Sequence, residues 1–185
     1  FKNLVCLSLW NEYGIDLELR IDLHVISEIK SLENLYLEYA SLHGNLECLS
    51  KNQKLTELHI YASVDYGDIS GNINFLTGNQ MIKLVSLSNL HNVVFDINVF
   101  GTCPNLEFLT LANTDYSDDT NIFGDITSLS NNHKLKRCCF IGCSQIKGDL
   151  EFFKKCPFLK SQEFKDCSQI KGNISYLEDK LDLEI

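Results

Sequence analysis

One apolar pattern recurs along the whole chain and limits the fold more than any other feature of the sequence. The pattern L-x-x-L-x-L, with other apolar residues allowed in place of leucine, starts at Leu4, Leu32, Leu55, Ile82, Leu106, Leu135 and Leu159. Successive starts lie 23 to 29 residues apart. A unit of this length cannot bury its apolar residues alone, so neighbouring units stack and share one continuous core. The sequence therefore predicts a solenoid of stacked coils, which we number 1 to 7 from these starts.

A second motif stands at a fixed distance before each strand pattern from coil 2 onward. It consists of Asp or Asn followed by an apolar residue, and Gly often precedes the Asp or Asn. The Asp and Asn positions are Asp22, Asn45, Asn72, Asp96, Asp125, Asp149 and Asn173. The full unit reads G-[DN]-[IL]-x-x-[LF]-x5-L-x-x-L-x-L. The alternating part predicts a short strand with two leucines inward, paired in parallel with the next coil about 4.8 Å away. Gly and Asp or Asn predict a turn, because Gly tolerates unusual backbone angles and Asx side chains hydrogen-bond the local backbone.

All length variation falls between the strand and the turn, and coils 1, 3 and 5 carry the longer arcs. Two of these arcs are acidic, at residues 65–68 (DYGD) and 115–119 (DYSDD). Clustered carboxylates on a loop can hold calcium, but the spacing D-x-[DN]-x-[DN]-G with a distal Glu is missing. We therefore expect solvated acidic loops. Contact with a partner remains an alternative role for them.

These motifs resemble the leucine-rich repeat family over essentially the whole chain. The G-x-[IL] turn is similar to the plant-type and protist-type repeats, although their Pro after the turn is absent. The position that usually holds Asn is occupied by other residues, namely Ala40, Ser63, Leu90, Thr114, Cys143 and Cys167. The resemblance implies one domain over residues 1–185, a right-handed, mostly β solenoid of the α/β type with a parallel sheet on its concave face. An eighth repeat starts near Leu183, so we expect about 7.5 repeats in an uncapped piece of a longer array.

In such repeats the side chains between the inward leucines form a grid on the concave face. The first three rows bring together Trp10, Tyr36, Glu38, Glu57, His59 and Tyr61. A surface that combines aromatic and charged residues has the composition typical of binding hot spots. We therefore predict that these six residues bind a partner. The alternative is that the aromatic rings only cover strand edges.

Three further concave positions are candidates for partner contacts. Phe108 belongs to central rows that are apolar or small, with Leu84, Ala112 and Ile141. Arg137 and Lys165, with Lys160 nearby, make the last rows basic on an otherwise acidic chain. Such asymmetry can orient a partner by charge complementarity, although ordinary solvated charges are an equal alternative.

The net charge of −9 disfavours nucleic acid or an anionic membrane as the main partner. The sequence has no run of 18 or more apolar residues, so it predicts no membrane-spanning helix. The five histidines are scattered and form no Ser-His-Asp or Cys-His signature, and no phosphate-binding loop follows a strand. We therefore expect no enzyme, no catalytic residue and no cofactor.

The eight cysteines do not have the spacing of a zinc site. Cys143 and Cys167 occupy the same position in neighbouring coils, where family members often have Asn or Cys that bonds the backbone. They are the only pair close enough for a disulfide, but free thiols are the preferred interpretation. Cys138 is predicted to point inward and Cys139 outward. Buried free thiols favour a reducing compartment.

Three hypotheses for function follow from these observations. The leading one is a protein–protein interaction scaffold or recognition arm in a eukaryotic intracellular complex, in the cytoplasm. The second is an extracellular receptor ectodomain that binds a peptide or protein. The third is a structural subunit of a large assembly.

Overall fold

The computed structural model describes residues 2–10, 20–114 and 121–173, without the side chains of residues 39, 40 and 63–67. Within these ranges every coil begins with a strand and most return through a second strand and a helical turn. The strands are β1 (Cys6–Trp10), β2 (Arg20–Asp22), β3 (Asn34–Asn45), β4 (Glu57–Asn72), β5 (Leu84–Ser88), β6 (Val93–Asp96), β7 (Phe108–Ala112), β8 (Ile122–Asp125), β9 (Arg137–Ile141), β10 (Gln145–Asp149), β11 (Ser161–Lys165) and β12 (Gln169–Lys171). The helical turns are α1 (Leu23–Ser27) and the 3₁₀ helices Leu46–Lys51, Asn74–Leu76, Ile97–Thr102, Ile126–Asn131 and Leu150–Lys155.

The strands form two parallel sheets on opposite sides of the core. The first sheet has the order β1-β3-β4-β5-β7-β9-β11. The second has the order β2-β3-β4-β6-β8-β10-β12. Because β3 and β4 run through both, each sheet has seven strands within the described residues. The predicted mostly β solenoid with a parallel sheet is confirmed.

The inward leucines of successive coils lie side by side, as the repeat predicts. Leu35 pairs with Leu58, Leu58 with Val85, and Val85 with Leu109. All four side chains have no exposed surface. Burial falls at the outermost described strands of the first sheet, where Leu7 and Phe164 are half-buried. Each coil is therefore sheltered by the coils beside it.

The Asp or Asn of the turn motif caps the helical turn that follows it. Asp125 Oδ1 accepts a hydrogen bond from the backbone N of Thr127 at 2.9 Å, and Asp149 accepts from Glu151 at 2.9 Å. A side-chain oxygen at this position satisfies one of the free N–H groups at a helix start. The predicted local hydrogen bond of the motif is confirmed.

The glycine of the turn has a second role that the sequence does not reveal. Gly148 has φ +140°, and a Cβ built on it would lie 2.4 Å from Ile126 Cγ1 of the preceding coil. The turn thus needs both an unusual backbone angle and space for the neighbouring coil. Coil 4 has Phe95 in place of this glycine, and the ring is buried in the core.

The acidic arc of coil 3 is not the loop that the sequence predicts. It lies inside β4, where Gly67 pairs with Leu42 and Asp68 with His43. The backbone pairs with β3 of the coil before, so the arc continues as a strand. The other acidic arc, at 115–119, and the eighth repeat near Leu183 lie outside the described residues.

Candidate functional site

The solvent side of the first sheet, called the front face here, carries six of the predicted residues in one block. Trp10 of β1 pairs with Glu38 of β3, which pairs with Tyr61 of β4. One step back along the strands, Tyr36 pairs with His59. One step further, Glu57 lies beside Asn34. We call Trp10, Tyr36, Glu38, Glu57, His59 and Tyr61 the N-terminal cluster.

Hydrogen bonds fix several side chains of this cluster. The Tyr36 hydroxyl donates to Glu57 Oε2 and accepts from Asn34 Nδ2 at 3.3 Å. The rings of Tyr36 and His59 lie 6.5 Å apart between centroids. Partial burial, and next the bond to the Glu57 carboxylate, raise the pKa of Tyr36. The hydroxyl therefore remains protonated and keeps donating at neutral pH.

A second contact joins Glu38 to the neighbouring strand. Glu38 Oε1 lies 3.1 Å from His59 Nε2. The His59 side chain is 26% exposed and the Glu38 side chain 42%, so both still reach solvent. Trp10, beside Glu38, is 66% exposed. The cluster thus combines fixed polar groups with a largely exposed indole ring.

The other three predicted residues lie on the front face but apart from the cluster. Strand β5 separates them from it. Phe108 is 37% exposed and lies below Lys136, whose Nζ is 5.7 Å from the ring centroid. Arg137 approaches Glu163, with 3.9 Å between the guanidinium nitrogen and the carboxylate. Lys165 is exposed on β11. The structure therefore brings six of the nine residues together and leaves three elsewhere.

The centre of the front face is less open than its apolar sequence suggests. Ala112 is buried at 6% exposure, and Leu84 and Ile141 are half-buried. Cys139 does point away from the core, but it is only 1% exposed. Its thiol donates to Glu163 Oε2 at 3.5 Å. Burial, and next the Glu163 charge, raise the pKa of Cys139 to about 11. Phe108 is thus the exposed apolar side chain of these rows.

One constellation was not predicted, because its members come from different coils. Ser41 Oγ lies 2.9 Å from His43 Nε2, and His43 Nδ1 lies 2.5 Å from Asp68 Oδ1. However, the Asp68 side chain is 78% exposed, whereas the Asp of a working Ser-His-Asp triad is buried and holds the histidine in place. We assign the three residues to joining coils 2 and 3.

All eight cysteines are free thiols. Cys143 and Cys167 donate hydrogen bonds to the carbonyl oxygens of Ile141 and Lys165, each at 3.4 Å. The predicted bonding of these side chains to the backbone is confirmed.

Residues 2–10, 20–114 and 121–173 contain neither a group of metal ligands nor a membrane-spanning helix. No three His, Cys, Asp or Glu side chains in these ranges are grouped so that they could share a metal ion. The helices in the same ranges are too short or too polar to cross a bilayer.

Comparison with solved structures places this architecture among leucine-rich repeat solenoids. An internalin (inlF) from Listeria monocytogenes has a TM-score of 0.63 at 16% identity, covering 99% of this chain and 47% of that chain. Internalin C2 (inlC2) from the same organism has a TM-score of 0.62 at 18% identity, covering 98% and 79%. This chain thus spans about half the length of the first internalin. These likenesses show the fold alone.

No protein-family model matches the sequence, and no curated protein sequence matches it either.

Proposed function

We propose that this leucine-rich repeat chain is a protein–protein interaction module, a scaffold or recognition arm, that binds its partner on the front face of the first sheet. The observation that carries this proposal is the N-terminal cluster. It places one Trp, two Tyr, one His and two Glu on three adjacent strands. Repeat solenoids use extended sheet surfaces of this kind for binding.

Binding energy in protein interfaces is concentrated in a few residues, with Trp, Tyr and Arg enriched among them. Trp10 offers a large apolar surface, since it is 66% exposed. Tyr36 and His59 are already held by neighbours, so less side-chain entropy is lost when a partner binds. Phe108, Arg137 and Lys165 are proposed as a second contact region, because they lie on the same face of later strands.

The proposal is tested by partner capture with front-face and matched control variants. The double variant Trp10→Ala with Tyr61→Ala should abolish capture by the intact protein. Its thermal midpoint should change little, since both side chains lie outside the core and surface substitutions shift stability by about 0.5 kcal/mol. The control is Val25→Ala on α1, because Val25 is 67% exposed but lies away from the front face. Capture that survives the double variant, or that is lost equally in the control, would contradict the proposal.

We also propose an intracellular, reducing location, with the extracellular receptor as the alternative. This proposal is supported by eight cysteines that make no disulfide. Alkylation of the native-source protein, denatured without reductant, followed by mass spectrometry should find these eight cysteines as free thiols. A count reduced by two or more would favour the extracellular alternative, because disulfides persist in oxidising compartments.

A further inference from the structure

An aromatic, a carboxylate and an aromatic side chain follow one another across three adjacent strands at the edge of the N-terminal cluster. Trp10, Glu38 and Tyr61 are direct register partners on β1, β3 and β4. Adjacent strands lie about 4.8 Å apart, so the two aromatic residues start roughly 9–10 Å apart on either side of Glu38. Trp10 is 66% exposed, and the Glu38 side chain is 42% exposed. We call these three residues the Trp10–Glu38–Tyr61 slot.

The charges around the slot favour a positive ligand. The front positions of β1, β3 and β4 contain Glu38 and Glu57 but neither Lys nor Arg, and the whole chain has a net charge of −9. Glu57 already accepts the Tyr36 hydroxyl, whereas Glu38 lies at the centre of the slot. A cation above Glu38 would therefore meet a carboxylate and no Lys or Arg of these strands. His59 approaches the same carboxylate only through Oε1, at 3.1 Å.

The spacing also suits a cation. A guanidinium or ammonium group is attracted to the face of Trp or Tyr within about 6 Å of the ring centroid. A cationic group above Glu38 would lie about one strand spacing, roughly 5 Å, from each of the two neighbouring strands that carry Trp10 and Tyr61. A planar guanidinium stacks on aromatic rings and pairs with a carboxylate, which an ammonium does less well.

We propose that the Trp10–Glu38–Tyr61 slot binds an arginine side chain of the protein partner. The guanidinium lies above Glu38, between the indole and phenol rings. His59 is a positioning residue, because its Nε2 contact at 3.1 Å holds the Glu38 carboxylate. This proposal rests on the proposed function and specifies the partner chemistry at the same surface.

Trp10 makes the test direct, because it is the single Trp of the chain and gives one indole N–H signal in a nitrogen-15 NMR spectrum. The protein is titrated with N-acetyl-arginine amide and, in parallel, with N-acetyl-citrulline amide, which has nearly the same shape without the charge. The indole signal should shift and saturate with the arginine compound and stay in place with citrulline. Glu38→Gln and, separately, Tyr61→Leu should each weaken binding about two- to fivefold.

The matched control is Glu47→Gln, which removes an exposed carboxylate from a 3₁₀ helix away from the front face and should leave binding unchanged. An equal response to citrulline, or no effect of Glu38→Gln in a folded variant, would overturn the slot. The partner-capture experiment separates the two proposals. If arginine amide does not bind but capture still requires Trp10, the slot is wrong and the proposed function stands. If arginine amide binds but capture survives the double variant, the proposed function fails.

Discussion

Glycines with nearly the same left-handed backbone differ in what surrounds them. Gly142 has φ +65°, and a Cβ on it would lie 2.0 Å from the Asn113 carbonyl oxygen in the neighbouring coil. Gly78 has φ +71°, with nothing within 4 Å of an added Cβ. Comparison of Gly142 with Gly78 therefore distinguishes the cost of backbone strain from the cost of steric overlap between coils.

Alanine at these two positions should destabilise the protein to different extents. Gly78→Ala should lower the free energy of unfolding by about 1–2 kcal/mol, the cost of a left-handed L residue. Gly142→Ala should lower it by about 3 kcal/mol or more, because steric overlap with the backbone adds to that strain. Urea unfolding measures both. Equal losses would show that the coils do not approach at Gly142.

At the scale of an element, four of the five 3₁₀ helices in the described residues start at an Asp or Asn whose side chain caps them. Asp125 accepts from both the backbone N and the Oγ1 of Thr127. The backbone hydrogen bond from Thr127 is the main reason that the pKa of Asp125 lies below its ordinary value. The capped helix, Ile126–Asn131, buries Ile126 and Leu129, so the cap connects a turn to the core.

Removal of this cap should reduce stability in a pH-dependent way. Asp125→Ala should lower the free energy of unfolding by about 1 kcal/mol at pH 7. Because the folded pKa is lowered, the ionised cap contributes stability above the unfolded pKa of about 3.9, and that stability is lost as the pH falls through the folded pKa. Urea unfolding between pH 7 and pH 3 measures the difference between wild type and variant.

Asn at this position provides the control, because its side-chain oxygen accepts the same bond without ionising. Asp125→Asn should keep most of the stability at pH 7 and lose the pH dependence of this site. A difference between wild type and Asp125→Ala that stays constant down to pH 3 would argue against the ionised cap.

At the scale of the whole molecule, the periodic apolar positions predict the coils, because only inward residues must be apolar in every repeat. They do not predict that β3 and β4 continue through both sheets, since this depends on backbone pairing between coils. The grid of the front face also follows from the repeat. Its individual contacts, such as Tyr36 to Glu57, depend on side-chain conformations that the repeat leaves open.

A buried Asn or Cys three residues before a repeat start is a further structural position of the repeat. Asn132 lies three residues before a repeat start and is fully buried. Its Nδ2 donates to the carbonyl oxygens of Phe100 at 3.0 Å and Cys103 at 2.7 Å. Asn52 bonds the Ile29 carbonyl at 2.8 Å in the same way. Ahead of coils 3 to 7 this position holds Asn or Cys, namely Asn52, Asn79, Cys103, Asn132 and Cys156. Both side chains can donate to the backbone of the coil before.

Each coil lies directly beside the next, with inward side chains in one continuous column. Methyl–methyl nuclear Overhauser contacts in a protein with labelled Leu and Val measure this stacking. We expect contacts from Leu35 to Leu58, from Leu58 to Val85 and from Val85 to Leu109, which are register partners. Contacts between alternate members, such as Leu35 and Val85, without those between neighbours would contradict the stacked solenoid and the binding surface built on it.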